Sequence, residues 1–259
     1  TPCVYHLKNP MPSDIILLAS TPMESSSIRK TITVDHEKFH AGKTHIHGQL
    51  DDRTVSLVLT GLGTVNTAHA LTCVLERRRP KLVLQFGVGG AYLSSGLDVG
   101  DIAVATEELY GDLGVQTPAG WASAELIGIP ILEMQGEGKK FFNRFPLDDK
   151  LVAIAGELIQ NMDWEDDPPV VKHGTFVTVQ QCSGVTTLGN EIAARFNGIC
   201  ENMEGAAAAH LCTLYDIPFL EIRAISNRVE DRNMAAWNLP LSIERVQKTV
   251  QSVVKELRV

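Results

Sequence analysis

Apolar residues along the chain fall into two patterns, and their alternation predicts an α/β fold. Several short runs are apolar almost throughout: residues 14–19 (DIILLA), 54–60 (TVSLVLT), 81–86 (KLVLQF), 101–107 (DIAVATE) and 217–225 (IPFLEIRAI). Runs of this length without polar alternation read as strands covered on both faces. Residues 170–179 and 199–202 read as two more strands. Between them stand segments with helical spacing. In residues 65–79, Ala68, Leu71, Val74 and Leu75 share one face, and Pro80 ends the pattern. Residues 151–162, 190–196, 203–215 and 239–257 read as further helices, and one more is expected from Met23 onward. Strand–helix pairs are interleaved with adjacent strands. The expected architecture is therefore a single domain with a mixed central β-sheet flanked by helices. Residues 110–140 are rich in Gly, Pro and polar side chains and show no sustained period. Loops of that length are often functional. Residues 1–13 carry three prolines and no apolar core, and read as an N-terminal extension to a domain over 14–259.

Composition narrows the function. A net charge of −8 lacks the basic footprint of a nucleic-acid binder and the polybasic cluster of a membrane anchor. No apolar run reaches the length of a membrane span. A small-molecule substrate is the expectation. Cysteines stand at 3, 73, 182, 200 and 212, an odd set with no C-x-x-C pair. That set reads as free thiols in a reducing cytoplasm. His45 and His47 alternate on a strand with no carboxylate or cysteine beside them, which favours a surface or edge-strand role over metal ligation. No G-x-S-x-G elbow is present.

Four places could carry chemistry. Gly87, Gly89 and Gly90 follow a strand, where α/β sheets bind ligands, but the spacing fits a tight turn equally well. Glu204, in Asn202-Met203-Glu204-Gly205, stands at a strand-to-helix junction; a plain helix-start acid explains it as readily as a ligand contact. Arg223, Ser226 and Asn227 gather at the end of an apolar strand, and a buried arginine is costly unless paired. Glu24 follows the first strand and could equally be a first-turn helix acid.

Taken together, these segments resemble the purine nucleoside phosphorylase/uridine phosphorylase superfamily. The carriers are FGVGGAYLSSGLDVGDIAVATEE (86–108), NMEGAAAAH (202–210) and EIRAISN (221–227). Within it, residues 108–121, 174–184 and 225–239 are most similar to the futalosine hydrolase branch. The mechanistic pattern is that of the methylthioadenosine/S-adenosylhomocysteine nucleosidases. The resemblance implies that Glu24 activates water, that Met203 and Glu204 hold the ribose, and that Arg223 and Ser226 support them. Asn227 stands where those nucleosidases carry a proton-donating aspartate. An amide cannot deliver a proton, but its NH₂ can donate to N7 or O6, which suits a 6-oxopurine. The loop over 86–90 has no arginine or serine for phosphate, which implies hydrolysis rather than phosphorolysis. By position, Val88, Gly89, Gln181, Cys182 and Ser183 would line the base, and Trp237 would close the site or anchor the last helix. Arg228, Arg232 and His173 are unranked candidates for the carboxylate arm of futalosine. The resemblance further implies a homo-oligomer whose neighbouring subunit completes the pocket, and neither metal nor organic cofactor. The rival expectations are a methylthioadenosine- or inosine-type nucleosidase and a non-catalytic nucleoside-binding protein.

Overall fold

The computed structural model describes residues 14–134, 136, 138–165 and 167–258, so the expected extension over 1–13 lies outside the described residues. The chain begins with β1 (Ile15–Ala19), α1 (Ser26–Thr31), β2 (Thr33–His40), β3 (Lys43–Leu50), β4 (Arg53–Leu59), α2 (Thr64–Leu75) and β5 (Leu82–Tyr92). It continues with β6 (Ile102–Tyr110), β7 (Gly114–Thr117), β8 (Gly120–Ser123), β9 (Leu132–Glu133), β10 (Lys140–Phe141), β11 (Arg144–Pro146) and α3 (Asp149–Gln160). Then come β12 (Val171–Thr178), α4 (Thr186–Phe196), β13 (Gly198–Asn202), α5 (Gly205–Tyr215), β14 (Phe219–Val229) and α6 (Leu239–Glu256).

A mixed sheet is the centre of the molecule, as the apolar runs predict. Strands β1, β4, β5 and β14 are parallel, whereas β13 meets β5 antiparallel and β14 meets β6 antiparallel. One feature exceeds the expectation. Strands β5, β14, β6, β12 and β13 pair in turn and return to β5, closing a ring. Beyond it β1, β4, β3 and β2 extend as an open sheet.

The burial on both faces is visible in β1. Ile15, Leu17 and Ala19 join the core layer under α3 and α6, with Val152, Ile159, Val246 and Val250. Ile16 and Leu18 face the opposite layer, against Leu71 and Val74 of α2 and Ala208 and Cys212 of α5. Burying each such side chain contributes roughly 1.5–3 kcal/mol. No described helix is long and apolar enough to cross a membrane.

Three expectations need correction. The glycines after Phe86 are not a turn: β5 runs straight through them to Tyr92. The helix expected from Met23 is short, and β2 follows it at once, an exposed polar strand held by backbone pairing to β3. Residues 110–140 are not a structureless loop. They contain the β7–β8 hairpin, a single 3₁₀ turn at Ala124–Ile127 and β9, organised by Asn143. The Asn143 amide donates to the Tyr110 and Leu113 carbonyls and accepts from Ala124 N–H.

Candidate active site

A cavity of about 340 Å³ opens where β1 ends, β5 passes through its glycines, β13 ends and β14 bulges. Glu24, Val88, Gly89, Cys182, Ser183, Met203, Glu204, Arg223, Ser226 and Asn227 all line it. The residues expected to activate water, hold the ribose and meet the base are thus brought to one place, with the exception of Gln181. Two other hollows of comparable size, one between α5 and β10 and one beside Trp121, gather none of them.

Glu24 lies in the turn between β1 and α1, two residues before the helix begins, so it is no first-turn acid. Its Oε2 accepts from Thr21 N–H at 3.0 Å and Thr21 Oγ1 at 2.8 Å, and its Oε1 accepts from Val88 N–H at 3.0 Å. A carboxylate offers about four acceptor directions, so one remains on the cavity side. The closeness of this packing explains Gly87. A Cβ there would stand 2.4 Å from Glu24 Oε1 and 3.1 Å from Arg223 Nη1.

Arg223 is the hub. Its buried guanidinium donates from Nε to Glu221 Oε1 at 2.8 Å, from Nη1 to the Val88 carbonyl at 3.0 Å and from Nη2 to Glu204 Oε2 at 3.2 Å. The surrounding carboxylates outweigh burial and hold its pKa above the usual arginine range. The cost of burying an arginine is met by pairing, as its position in an apolar strand requires.

Glu204 occupies the N-cap position of α5 but does not cap it. Its Oε1 accepts from Gly63 N–H at 3.0 Å, leaving two acceptor directions toward the cavity. The capping falls to Asn202, whose Oδ1 accepts from Glu204 N–H at 2.9 Å and Gly205 N–H at 2.8 Å, and to Thr178, whose Oγ1 accepts from Ala206 N–H at 2.8 Å. The carboxylate is thereby freed from the helix end.

Behind this wall lies a second pair of acids. Glu108 accepts from Asn202 Nδ2 at 2.6 Å and Thr178 Oγ1 at 2.8 Å. Its Oε1 and Oε2 of Glu221 converge over Gly205, where a Cβ would meet them at 1.9 and 2.3 Å. Complete burial, with the Glu221 charge beside it, pushes Glu108 well above the carboxylate range. That shift favours the protonated form of Glu108, whose proton would meet Glu221 Oε2, an atom with no other hydrogen-bond partner among the described residues, while Glu221 Oε1 accepts from Arg223.

The last wall comes from β14 and the segment after β12. A bulge between Ile225 and Asn227 breaks the alternation of β14, so Ser226 and Asn227 both reach the cavity. Ser226 Oγ donates to Asn227 Oδ1 at 2.9 Å, and Asn227 Nδ2 donates to the Arg228 carbonyl at 3.0 Å. One Nδ2 hydrogen is left over. Ser183 binds Glu201 through both N–H (2.8 Å) and Oγ (2.6 Å), and Cys182 Sγ lies 3.3 Å from Met203 Sδ. Cys182 and Ser183 line the cavity whereas Gln181 does not.

Among the three cations considered for a carboxylate arm, the structure separates one. Arg232 lines the cavity and lies 5.0 Å from the centre of the Trp237 ring, which also lines it. Arg228 is paired outside with Asp98, and the His173 ring packs over Gly156. His47 is not a surface residue: it is buried in β3, an inner strand, with Nδ1 2.9 Å from Ser56 Oγ. Burial, aided by Arg78, lowers the pKa of His45 to about 4. Among the described residues no group of three or more His, Cys, Asp or Glu could hold a metal ion.

Glu108, Glu201 and Glu221 were not singled out from the sequence. Their signal is the one that marks Arg223: a charged residue inside an otherwise apolar strand.

The sequence profile of the phosphorylase superfamily matches residues 14–257. A futalosine hydrolase of Thermus thermophilus is 32% identical over 197 residues, covering 76% of this chain and 80% of that protein. Among solved structures, the 5′-methylthioadenosine/S-adenosylhomocysteine nucleosidase of Neisseria meningitidis, in complex with methylthio-immucillin-A, superposes with a TM-score of 0.79 at 22% identity. That match covers 94% of this chain and 99% of the other. The futalosine hydrolase of Helicobacter pylori gives a TM-score of 0.76 at 20% identity, over 94% and 97% of the two chains. At these identities the two structures speak to the fold.

Proposed function

Since the chain belongs to the phosphorylase superfamily, we propose that it is a purine nucleosidase that hydrolyses futalosine at its N-glycosidic bond, releasing hypoxanthine and dehypoxanthine futalosine in menaquinone biosynthesis. The observation that carries the reading is the convergence of Glu24 and Glu204 at one cavity wall, one bonded to Val88 and the other to Arg223 beside it, each with an acceptor direction to spare. The relationship to the Thermus enzyme supports the choice of substrate.

In this mechanism the C1′–N9 bond breaks with its electrons leaving to the base. The base departs as an anion and is protonated from solvent, while Glu24 returns the proton it takes to solvent after turnover. Positive charge grows on the ribosyl ring. Glu204 accepts from the ribose hydroxyls and places negative charge beside that ring. Glu24 takes a proton from water as the water oxygen bonds to C1′. Asn227 donates its remaining Nδ2 hydrogen to N7 or O6 of the departing base. In the observed arrangement Ser226 donates to the amide oxygen, which leaves the nitrogen for the base. Arg223 positions Glu204 directly and Glu24 through Val88, whose carbonyl it binds and whose N–H meets Glu24, and it touches no reacting atom.

Water is favoured over phosphate because each nitrogen of Arg223 is already engaged by the protein, and the β5 glycine segment offers no other cation. Arg232, stacked near Trp237, is the assigned partner of the carboxylate arm. We further infer a cytoplasmic homo-oligomer. Leu62, 60% exposed, lines the cavity, and Val65, 80% exposed, follows three residues later. A second copy would cover them.

The test is base release from futalosine, aminofutalosine, inosine and methylthioadenosine, each with and without phosphate. Phosphate-independent cleavage with futalosine preferred is expected. A preference for methylthioadenosine would place the chain with the adenine-type nucleosidases. Tight binding without cleavage of any of the four would leave a nucleoside-binding protein.

A further inference from the structure

The turn from β4 into α2 has no step in the mechanism above, yet it supplies one of the two bonds that hold Glu204. It runs Gly61-Leu62-Gly63, and both glycines have positive φ, 83° and 91°. Its first half is tied to the sheet. Gly61 N–H donates to the Ser20 carbonyl at 3.0 Å, and Thr60 Oγ1 donates to the Gly61 carbonyl at 2.9 Å. Its second half is the Leu62–Gly63 peptide, which is held from both sides. The Leu62 carbonyl accepts from Asn66 Nδ2 at 2.7 Å, and Gly63 N–H donates to Glu204 Oε1 at 3.0 Å. In a planar trans peptide the C=O and N–H point in opposite directions. The amide that fixes the Leu62 carbonyl therefore aims the Gly63 N–H at Glu204.

Lys43 fixes that amide in turn. It is buried at the start of β3 and donates from Nζ to Asn66 Oδ1 at 2.6 Å. An ammonium only donates and a carbonyl only accepts, so both neighbours demand the same orientation of the Asn66 side chain. The bridge lies over Gly61, where a Cβ would stand 3.3 Å from Asn66 Cγ and 3.4 Å from Lys43 Nζ. Helix stability does not explain the pair. Asn66 stands in the first turn of α2, where the helix dipole disfavours a cation, and asparagine is a weaker helix former than alanine.

We propose that Asn66, braced by Lys43, is a positioning residue for Glu204: it locks the Leu62–Gly63 peptide plane and so fixes the carboxylate assigned to the ribose. The ribose role of Glu204 rests on reading the cavity as a nucleoside site, whereas the lock rests on the bonds around the turn. Without Asn66 the plane is free to turn over, because a glycine at 63 accepts φ of either sign. The flipped peptide presents the Leu62 carbonyl to Glu204, and the two acceptors repel. Glu204 is then held by Arg223 Nη2 alone, and its carboxylate turns about that single bond.

Two measurements test the lock, the first with no ligand. In ¹⁵N-labelled protein the Gly63 amide proton, bonded to a carboxylate, should resonate downfield, and its shift in Glu204→Gln identifies it. Asn66→Ala should move it upfield. Lys43→Met should move it the same way by less, and Lys43→Arg, which keeps a donor, should leave it in place. The second measurement is binding of inosine and of 2′,3′-dideoxyinosine. Asn66→Ala should weaken inosine roughly 5- to 10-fold, the share of one hydrogen bond, and leave dideoxyinosine, which has no hydroxyl for Glu204, unchanged. The denaturant midpoint of Asn66→Ala should not fall, since alanine is the better helix former. A Gly63 resonance unmoved by Asn66→Ala would overturn the proposal. Equal losses for the two nucleosides would overturn it too and leave Asn66 as a general brace of the turn. If neither nucleoside binds the wild type while the resonance responds as described, the nucleoside reading fails and the lock on Glu204 stands.

Discussion

Glu24 and Glu204 on the cavity side, and Glu108 and Glu221 behind it, are four buried acids around one guanidinium, yet they are built for different work. The front pair meets backbone N–H groups, a hydroxyl and one arginine nitrogen, and each keeps an acceptor direction for a ligand. The rear pair also accepts, from Asn202, Thr178 and Arg223, but complete burial and the neighbouring acid raise the pKa of both and favour a proton between them. Residue type is the same in both. What differs is whether another acid competes beside the donors. The front pair can do chemistry on water and ribose; the rear pair can only hold Arg223, Thr178 and Asn202 in place.

Arg223 joins the two sets, and removing it should have the largest effect. Arg223→Met leaves Glu221, Glu204 and Glu24 without their shared cation. Breaking a buried pair of this kind costs about 3–5 kcal/mol. The expected result is a large fall in the denaturant midpoint together with loss of base release. An unchanged midpoint would mean that the carboxyls neutralise themselves and that the two sets are not coupled.

Glu24→Gln separates chemistry from stability. The amide keeps one acceptor for the Thr21 or Val88 donors but cannot take a proton from water. Turnover should fall by ~10²–10⁴, the usual share of a general base, with binding of free base retained. Wild-type turnover in this variant would remove Glu24 from the mechanism.

Much of this could be read from the sequence, and the gaps have physical reasons. Continuous apolar runs exposed β1, β4, β5 and β14 because burial on both faces leaves no polar alternation to confuse the reading. β2 escaped because an edge strand with polar side chains is specified by its pairing with β3, which no local pattern records. The glycines of β5 imitate a turn. They are tolerated in a strand because Glu24, Arg223 and Cys200 fill the space where their side chains would stand. Residues 110–140 look patternless because Asn143, a distant polar hub, replaces a hydrophobic stripe. The site residues were reached as a set through the resemblance to a family. Local spacing alone left Glu24 and Glu204 as helix-start acids, and only geometry separates them from that role. Glu108, Glu201 and Glu221 needed the ring of strands, since their meaning lies in which residues face them across it.

The smallest expected effect tests the rear pair most sharply. Glu108→Gln replaces a protonated carboxyl with a neutral isostere that still donates toward Glu221. It loses the acceptor that Asn202 Nδ2 uses, so a cost of about 1–2 kcal/mol is expected at acidic pH, with base release reduced far less than in Glu24→Gln. The pH dependence carries the decisive sign. Glu108 has its folded pKa raised by burial, so between the unfolded and folded values the native state binds more protons than the unfolded one. Stability from this group is complete below the ordinary carboxylate pKa and is lost as pH rises toward the folded value. Thermal midpoints taken from pH 5 to 8 should therefore converge: the wild type loses its advantage over Glu108→Gln as pH rises. A gap that widens with pH would mean that Glu108 is a charged partner of Arg223. The rear acids would then be of the same kind as the front ones.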